Sequence, residues 1–553
     1  MSISQSNLSS TGFDYVVAVT QDSINGTLEE YLYGGLPEVI LCYVYDTNNN
    51  PIAMEYATLV ANANNTDPFS VPGGTASSDP RVQALNNANF AFAIKAKLGL
   101  PPGVTPANLP PIVVLKAGQS NVTYTLMFSE FIGTELVFGP RGSITWFNEA
   151  QPSGTPWTFS GAVDLNFQDA SFENLPPAVQ NQLKGLQGEG ISFSIQQLYY
   201  DLNSSDLEQG FLFNNLPSNS ALNTFMTADF IDTYWKALGG ASVLGYAASQ
   251  TSSPSPATLA VTDVNFFTPD AVGTEGAPLT LNYLCAANND ALPDTTHAGF
   301  GWNWIEPTEA AQYDGAAALN RNTFAKYYDG QLRGYAQQNC YSPAGQIRVW
   351  LSGTFDTTVN YQWGLVSNQT PTVSFPPSGP IVLSYSYDSG STSDEAGLDG
   401  DMGKMEMSSQ FTMSVSFQGN TVVIVQHLVV YCYLRFLQTS DSGNVVDKQI
   451  TDTYSIGVDD QGQIVATLAS SVPVDHSQKP SANGFLNFFA DVDSLSDSVA
   501  QWAQSCIGTN LTDIPASAVQ NFVFPGGATF SFADASFSDN QDLVSHITYA
   551  SVT

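Results

Sequence analysis

The chain has 553 residues, with 15 Lys+Arg against 50 Asp+Glu, a formal net charge of −35 and only 12% charged residues. Its length predicts about two to four domains at roughly 100 to 200 residues each. So few cations cannot neutralise a run of phosphates, which argues against nucleic acid and against anionic membrane surfaces as partners.

The first ten residues are polar, with no basic n-region and no apolar h-region. The expected location is therefore cytoplasmic, or outside the cell by release without a classical signal peptide. Phe13-Asp14-Tyr15-Val16-Val17-Ala18-Val19 then leads into a predicted helix, Gln21 to Tyr33. β-rich runs follow near Val39 to Tyr45, Ile52 to Val60, Ile112 to Lys116, Val122 to Phe138 and Trp157 to Phe167. From Ala221 to Leu238, the residues Leu222, Phe225, Met226, Phe230, Tyr234 and Leu238 keep helical register, and Gly239-Gly240 supplies a stop. A strand-like segment, Thr258 to Phe267, closes this half. The boundary falls around residues 290 to 310, ahead of and including the aromatic segment Gly301-Trp302-Asn303-Trp304.

The opening pattern then returns. Tyr313-Asp314-Gly315-Ala316-Ala317-Ala318-Leu319 runs into Arg321 to Arg333, aligning Asp14 with Asp314, Ala18 with Ala318, Ser23 with Thr323, Ile24 with Phe324 and Leu32 with Leu332, at an offset of 300 (314 − 14). This predicts a duplicated module. Between Gln410 and Gln418, Phe411, Met413, Val415 and Phe417 alternate with polar residues, as in a half-buried strand. A Gly419-Asn420 turn, a β-rich segment Thr421 to Leu437, a turn at Asp441 to Asn444, and strands near Val445 to Ile456 and Gln463 to Val472 predict an antiparallel meander. The period switches at Phe485 to Cys506, where Phe485, Phe489, Val492, Leu495, Val499, Trp502 and Cys506 stand three or four apart. That is a long amphipathic helix. A strand-like segment, Phe522 to Phe532, ends the second half. The loops Asn65 to Pro80, Ser252 to Pro256 and Ser389 to Gly403 are expected to be mobile.

No catalytic spelling stands out. There is no G-x-S-x-G elbow, phosphate loop or dinucleotide fingerprint, and no cofactor is expected. His297, His427, His476 and His546 are isolated, and no metal site is expected; the acidic loop from Asp394 to Asp401 departs from the calcium-loop frame and reads as a solvated face. The five cysteines are widely spaced and read as separate thiols. No apolar run reaches the ~20 residues of a spanning helix. His427 shares a strand face with Tyr431, Tyr433 and Arg435, which would either line the polar end of a greasy cavity or form a cross-strand network on the outer face. Trp302 and Trp304 would either stack on a sugar or anchor the joint between halves. Asp14 and Asp314 are expected to cap or tether the helices that follow them.

Three segments carry a resemblance: GFDYVVAV with its helix, WNWIEPTEAAQYDGAAALNRNTFAKYY, and FVFPGGATFSFADASFSDNQDLVSHITYA. They resemble the OrfX-type proteins and their forty-seven-kilodalton relative, encoded beside botulinum neurotoxins and found in other microbes, which belong to the tubular lipid-binding (TULIP) superfamily. The resemblance implies an α+β chain of two tandem TULIP-like lobes, residues 11–295 and 296–553, each a long helix wrapped by a curved antiparallel β-meander. It also implies a lipid or other hydrophobic small molecule held between helix and sheet. The groove floor would then be Ile24, Leu28, Leu32, Leu222, Met226 and Phe230 in the first lobe. In the second it would be Phe324, Tyr328, Phe489, Val492, Leu495, Val499 and Trp502, with His427 at a polar end. The same stripes serve equally as plain core. Two other functions stay open: an accessory protein of a toxin or secretion cluster with protein partners, and a cofactor-free enzyme that shapes or cyclises a hydrophobic substrate.

Overall fold

The computed structural model describes residues 2–33, 36–105, 108–186, 193–201, 213, 220–238, 243–250, 259, 261–272, 276–295, 298–351, 357–397, 402–460, 462–478, 522–523 and 529–550. The predicted helix Phe485 to Cys506, the Gly239-Gly240 stop and the Ser252 to Pro256 loop lie outside these residues. The described residues form a mixed α/β structure built mainly from antiparallel sheets.

At the centre, the two stretches that share the recurring sequence pattern pair with each other. Strands Tyr15–Thr20 and Gly315–Leu319 run antiparallel, with Tyr15 opposite Leu319, Val16 opposite Ala318 and Val17 opposite Ala317. Val17 and Ala317 are also equivalent positions of the repeat, so a pseudo-twofold axis passes through this pair. Thr280–Ala287 flanks one copy and Leu543–Ala550 the other, each antiparallel. Val261–Phe267 and Thr529–Phe532 extend this central sheet outward on either side.

The two aspartates obey the same symmetry. The backbone N–H of Asp14 donates to Cys285 O at 3.1 Å, and its Oδ2 accepts the Ala287 N–H at 2.9 Å. Asp314 repeats both contacts, donating to Ile547 O at 3.0 Å and accepting the Tyr549 N–H at 2.8 Å. Their carbonyls cross the axis: Asn320 N–H reaches Asp14 O and Thr20 N–H reaches Asp314 O, both at 2.9 Å. Neither aspartate caps the helix after it, because a whole strand intervenes. The caps are Thr20 and Asn320, whose side chains accept the N–H groups of Ser23 (3.2 Å) and Asn322 (2.8 Å). Asp14 instead tethers the opposite half, accepting the Thr323 hydroxyl on its second oxygen.

The central sheet is covered on both faces. Tyr15, Val17, Val19, Ala317 and Leu319 belong to one contiguous apolar core that continues through the sheets of both halves. Val16, Ala18, Ala316 and Ala318 pack on the other face against Phe13, Phe300, Trp302 and Trp304. With Trp302 5% and Trp304 3% exposed, neither ring is free to stack on a sugar. They seal the sheet that joins the halves.

In the first half, Asn121–Phe138 is the hub of a ten-stranded sheet whose far edge is Phe522–Val523, paired with Val243–Gln250. The expected strand Ile52 to Val60 is split. Strand Pro51–Met54 gives way to helix Tyr56–Asn62 because Glu55 caps it, accepting the Thr58 N–H at 2.7 Å. The Asn65 to Pro80 loop is tied down rather than loose: Val71 is fully buried and its carbonyl accepts the Trp146 indole N–H at 2.9 Å. The expected helix Ala221 to Leu238 is two helices, Ala221–Ala228 and Phe230–Ala237. They break at Asp229, whose φ of −122° leaves the helical region.

In the second half the expected meander is present. Gly403–Gln418, Thr421–Phe436, Thr439–Val458 and Ile464–Asp475 pair in sequence order. Phe411, Met413, Val415 and Phe417 all point inward, as their alternation requires. The turn expected at Asp441 to Asn444 is instead part of a strand. The chain reverses at Leu437-Gln438, where Leu437 takes a φ of 56°, and Val445 is the extra residue of a β-bulge opposite Val430 and Tyr431. Helix Arg321–Gln338 lies along the inner face. In the Ser389 to Gly403 loop, Thr392–Ala396 forms a strand on Gly403–Gln418, and Asp394 accepts the Ile347 N–H at 2.8 Å.

Candidate hydrophobic-ligand site

The first helix is docked by an amide. Asn25 donates to Val113 O and accepts from Val113 N, both at 2.8 Å, clamping Gln21–Tyr33 to strand Val113–Leu115. This turns Ile24, Leu28 and Leu32 into the core, each under 5% exposed. The Ala221–Ala228 helix is seated by Glu135, whose carboxylate accepts the Ala221 and Leu222 N–H groups at 2.9 and 3.4 Å. Burial raises the Glu135 carboxyl above its ordinary range, against the pull of those bonds. Leu222, Met226 and Phe230 are buried, and the Phe230 ring lies 4.9 Å from Phe159 and 5.5 Å from Phe131. Side chains of the protein itself fill this contact.

The second half repeats the arrangement with different chemistry. Phe324 and Tyr328 pack on Phe417, at 5.2 and 5.7 Å between ring centroids, and Phe417 stacks on Phe537 at 4.4 Å. Next to Tyr328, Asp329 is held by Arg333 and by the Tyr385 hydroxyl at 2.7 Å. The inward row of strand Thr421–Phe436 reads Val422, Ile424, Gln426, Leu428, Val430, Cys432, Leu434, Phe436, and Gln426 is its one polar member. Tyr335 from the helix donates its hydroxyl to Gln426 Oε1. Phe489, Val492, Leu495, Val499 and Trp502 lie outside the described residues.

His427 is not on the inner row. Side chains alternate along a strand, so the buried position belongs to Gln426, and His427 lies on the half-buried outer face with Nε2 2.8 Å from Asp447 Oδ1. Asn444 also donates to Asp447 at 3.0 Å. Although burial opposes it, these bonds hold the Asp447 carboxyl below its ordinary range. This is the cross-strand network, not the polar end of a cavity.

A small, largely apolar cavity of about 20 Å³ lies where the halves meet. Tyr15, Ala317 and Leu319 line it from the paired repeat strands, Leu543 and Phe532 from the neighbouring strands, and Leu259 and Ile464 from the two halves. Tyr15 brings a hydroxyl that is buried without a hydrogen-bond partner. Such a space holds about one water-sized sphere, so a larger guest has to displace its lining. None of these residues stands out in the sequence, since each is one apolar position in a run of others.

No family model matches the chain. No curated protein matches it either. Among solved structures, the chain is similar to P47 from Clostridium botulinum A2, at 9% identity over 97% of each chain and a TM-score of 0.41. It is also similar to a lipopolysaccharide binding protein, at 9% identity over 98% of this chain and 99% of that one, with a TM-score of 0.27. Similarities this low carry no conclusion about function.

Proposed function

We propose that this protein binds a lipid or other hydrophobic small molecule in the apolar interior shared by two tandem lobes, residues 11–295 and 296–553. The observation that carries this reading is the cavity at the pseudo-twofold axis. It sits at the meeting point of one continuous core and is lined almost wholly by apolar side chains, among them Tyr15, whose hydroxyl is buried without a partner. Water gains little in such a space, whereas an apolar guest recovers the missing contacts. The helix stripes at Ile24, Leu28, Leu32, Leu222, Met226, Phe230, Phe324 and Tyr328 would yield around that guest as groove walls.

The reading as a cyclising enzyme calls for a continuous, closed pocket with one or two polar residues inside, with His427 as the candidate. Its place on the outer face, bonded to Asp447, removes that support. Titration with a fluorescent acyl-chain lipid tests the binding reading: saturable uptake at about one probe per chain is expected, and absence of any uptake by the full chain overturns it.

A further inference from the structure

Gln426 is the one polar residue in an otherwise apolar inward row. It is 0% exposed in the middle of the inward row, between Ile424 and Leu428. A primary amide has two acceptor lone pairs on oxygen and two donors on nitrogen. Tyr335 donates to the oxygen, which fixes the amide's orientation and turns the NH₂ toward its apolar surroundings. That nitrogen is buried and has no hydrogen-bond partner. Tyr454, on the adjacent strand opposite Val422, adds a second buried hydroxyl without a partner. Burial drives Tyr328 on the helix well above the ordinary tyrosine range, with Tyr327 and Tyr454 adding to the effect.

We infer that Gln426, which lies on the inner face of the second half and not among the residues lining the cavity between the halves, is a polar anchor for an amphiphile in the shared apolar interior, its free amide N–H donating to an uncharged oxygen such as an ester carbonyl or an alcohol. This rests on the ligand-binding reading above and specifies the class of ligand. A donor left unmatched in an apolar face is costly, and an acceptor carried in by a ligand removes that cost. The charge of the acceptor follows from the same row. Asp452, 4% exposed, pairs with Ile424 two residues to one side of Gln426, and Lys448 pairs with Leu428 two residues to the other, so the row carries no one-signed charge for an ionic group to meet. An uncharged oxygen is favoured there because a carboxylate or phosphate would lose its hydration among apolar side chains.

Displacement of a bound fluorescent lipid from the full chain separates the possibilities, using 1-monooleoylglycerol, oleate and 1-octadecene as competitors. The wild type is expected to release the probe at a monooleoylglycerol concentration about tenfold lower than for 1-octadecene, the value of one good hydrogen bond, with oleate weaker than monooleoylglycerol. In Gln426→Leu the monooleoylglycerol advantage should shrink to within twofold while 1-octadecene is unchanged. Gln426→Met, unbranched and closer to glutamine in length, provides the same comparison if the leucine variant does not fold. An advantage that survives both substitutions, or its absence from the wild type, overturns the role of Gln426 while leaving hydrophobic binding intact. Failure of all three competitors and of the probe itself to bind overturns the binding reading, and the anchor falls with it.

Discussion

Val17 lies directly across the central antiparallel pair from Ala317, its own equivalent in the repeat. The two stretches that carry the recurring sequence pattern thus meet in one sheet, and this pairing joins the two halves.

The tightest point of that joint is Gly315, the equivalent of Tyr15. A Cβ built on Gly315 would stand 2.2 Å from the Ala18 carbonyl oxygen across the pair. Backbone cannot move aside as a side-chain tip can, so Gly315→Ala should cost about 1–3 kcal/mol. Urea denaturation of the full chain checks this; a neutral substitution would show that the repeat strands are not so closely apposed.

The two aspartates are equivalent but unequal. Asp14 serves the Ala287 N–H and the Thr323 hydroxyl, whereas the hydroxyl of Ser23, the counterpart of Thr323, is buried without a partner. Asp14→Ala should therefore destabilise by about 3 kcal/mol, and Asp314→Ala by roughly half as much. Equal losses in parallel denaturation curves would refute the asymmetry.

His546 gives the chain a pH-dependent term. Its Nδ1 lies 2.7 Å from Asp534 and its Nε2 3.6 Å from Glu309, while Tyr313 stacks on the ring at 4.2 Å. Burial works against the cation, yet the two carboxylates prevail and the pKa is raised from 6.5. A raised folded pKa means the unfolded state loses its proton first as pH rises. The stabilisation is accordingly full below about pH 6.5 and fades as pH climbs through the higher folded value. Stability measured from pH 5 to 9 should fall across that window in the wild type and flatten in His546→Gln.

Tyr15 holds a hydroxyl that the folded state does not satisfy. Tyr15→Phe keeps the ring and removes the unmatched group, so the variant should be as stable as the wild type or more stable by up to about 1 kcal/mol. A loss above that would show that the hydroxyl has a partner, such as an ordered water.

Much of the local structure was legible in the sequence. Alternation at Phe411 to Phe417 identified an inward face, and the Phe13 to Tyr33 pattern identified a helix from Gln21 to Tyr33, though not the strand Tyr15–Thr20 ahead of it. Pairing over long distances was not. Nothing in the spacing of Tyr15 and Leu319 announces that they face each other, because an antiparallel partner is chosen by the assembled sheet rather than by its own strand. The break at Asp229 was hidden because Phe225, Met226 and Phe230 keep their helical spacing across it. Gln426 was passed over for the neighbouring His427, since two adjacent strand positions differ only in which face is buried, and the sequence made the titratable residue the more conspicuous.

The central claim, an apolar interior that takes a hydrophobic guest, is tested most directly by native mass spectrometry of the full chain purified from its own host, before and after organic-solvent extraction. The account predicts a mass excess matching a neutral amphiphile, which disappears on extraction and returns when the extract is added back. A chain that carries only its own mass before extraction, and still does so after incubation with that extract, would contradict it.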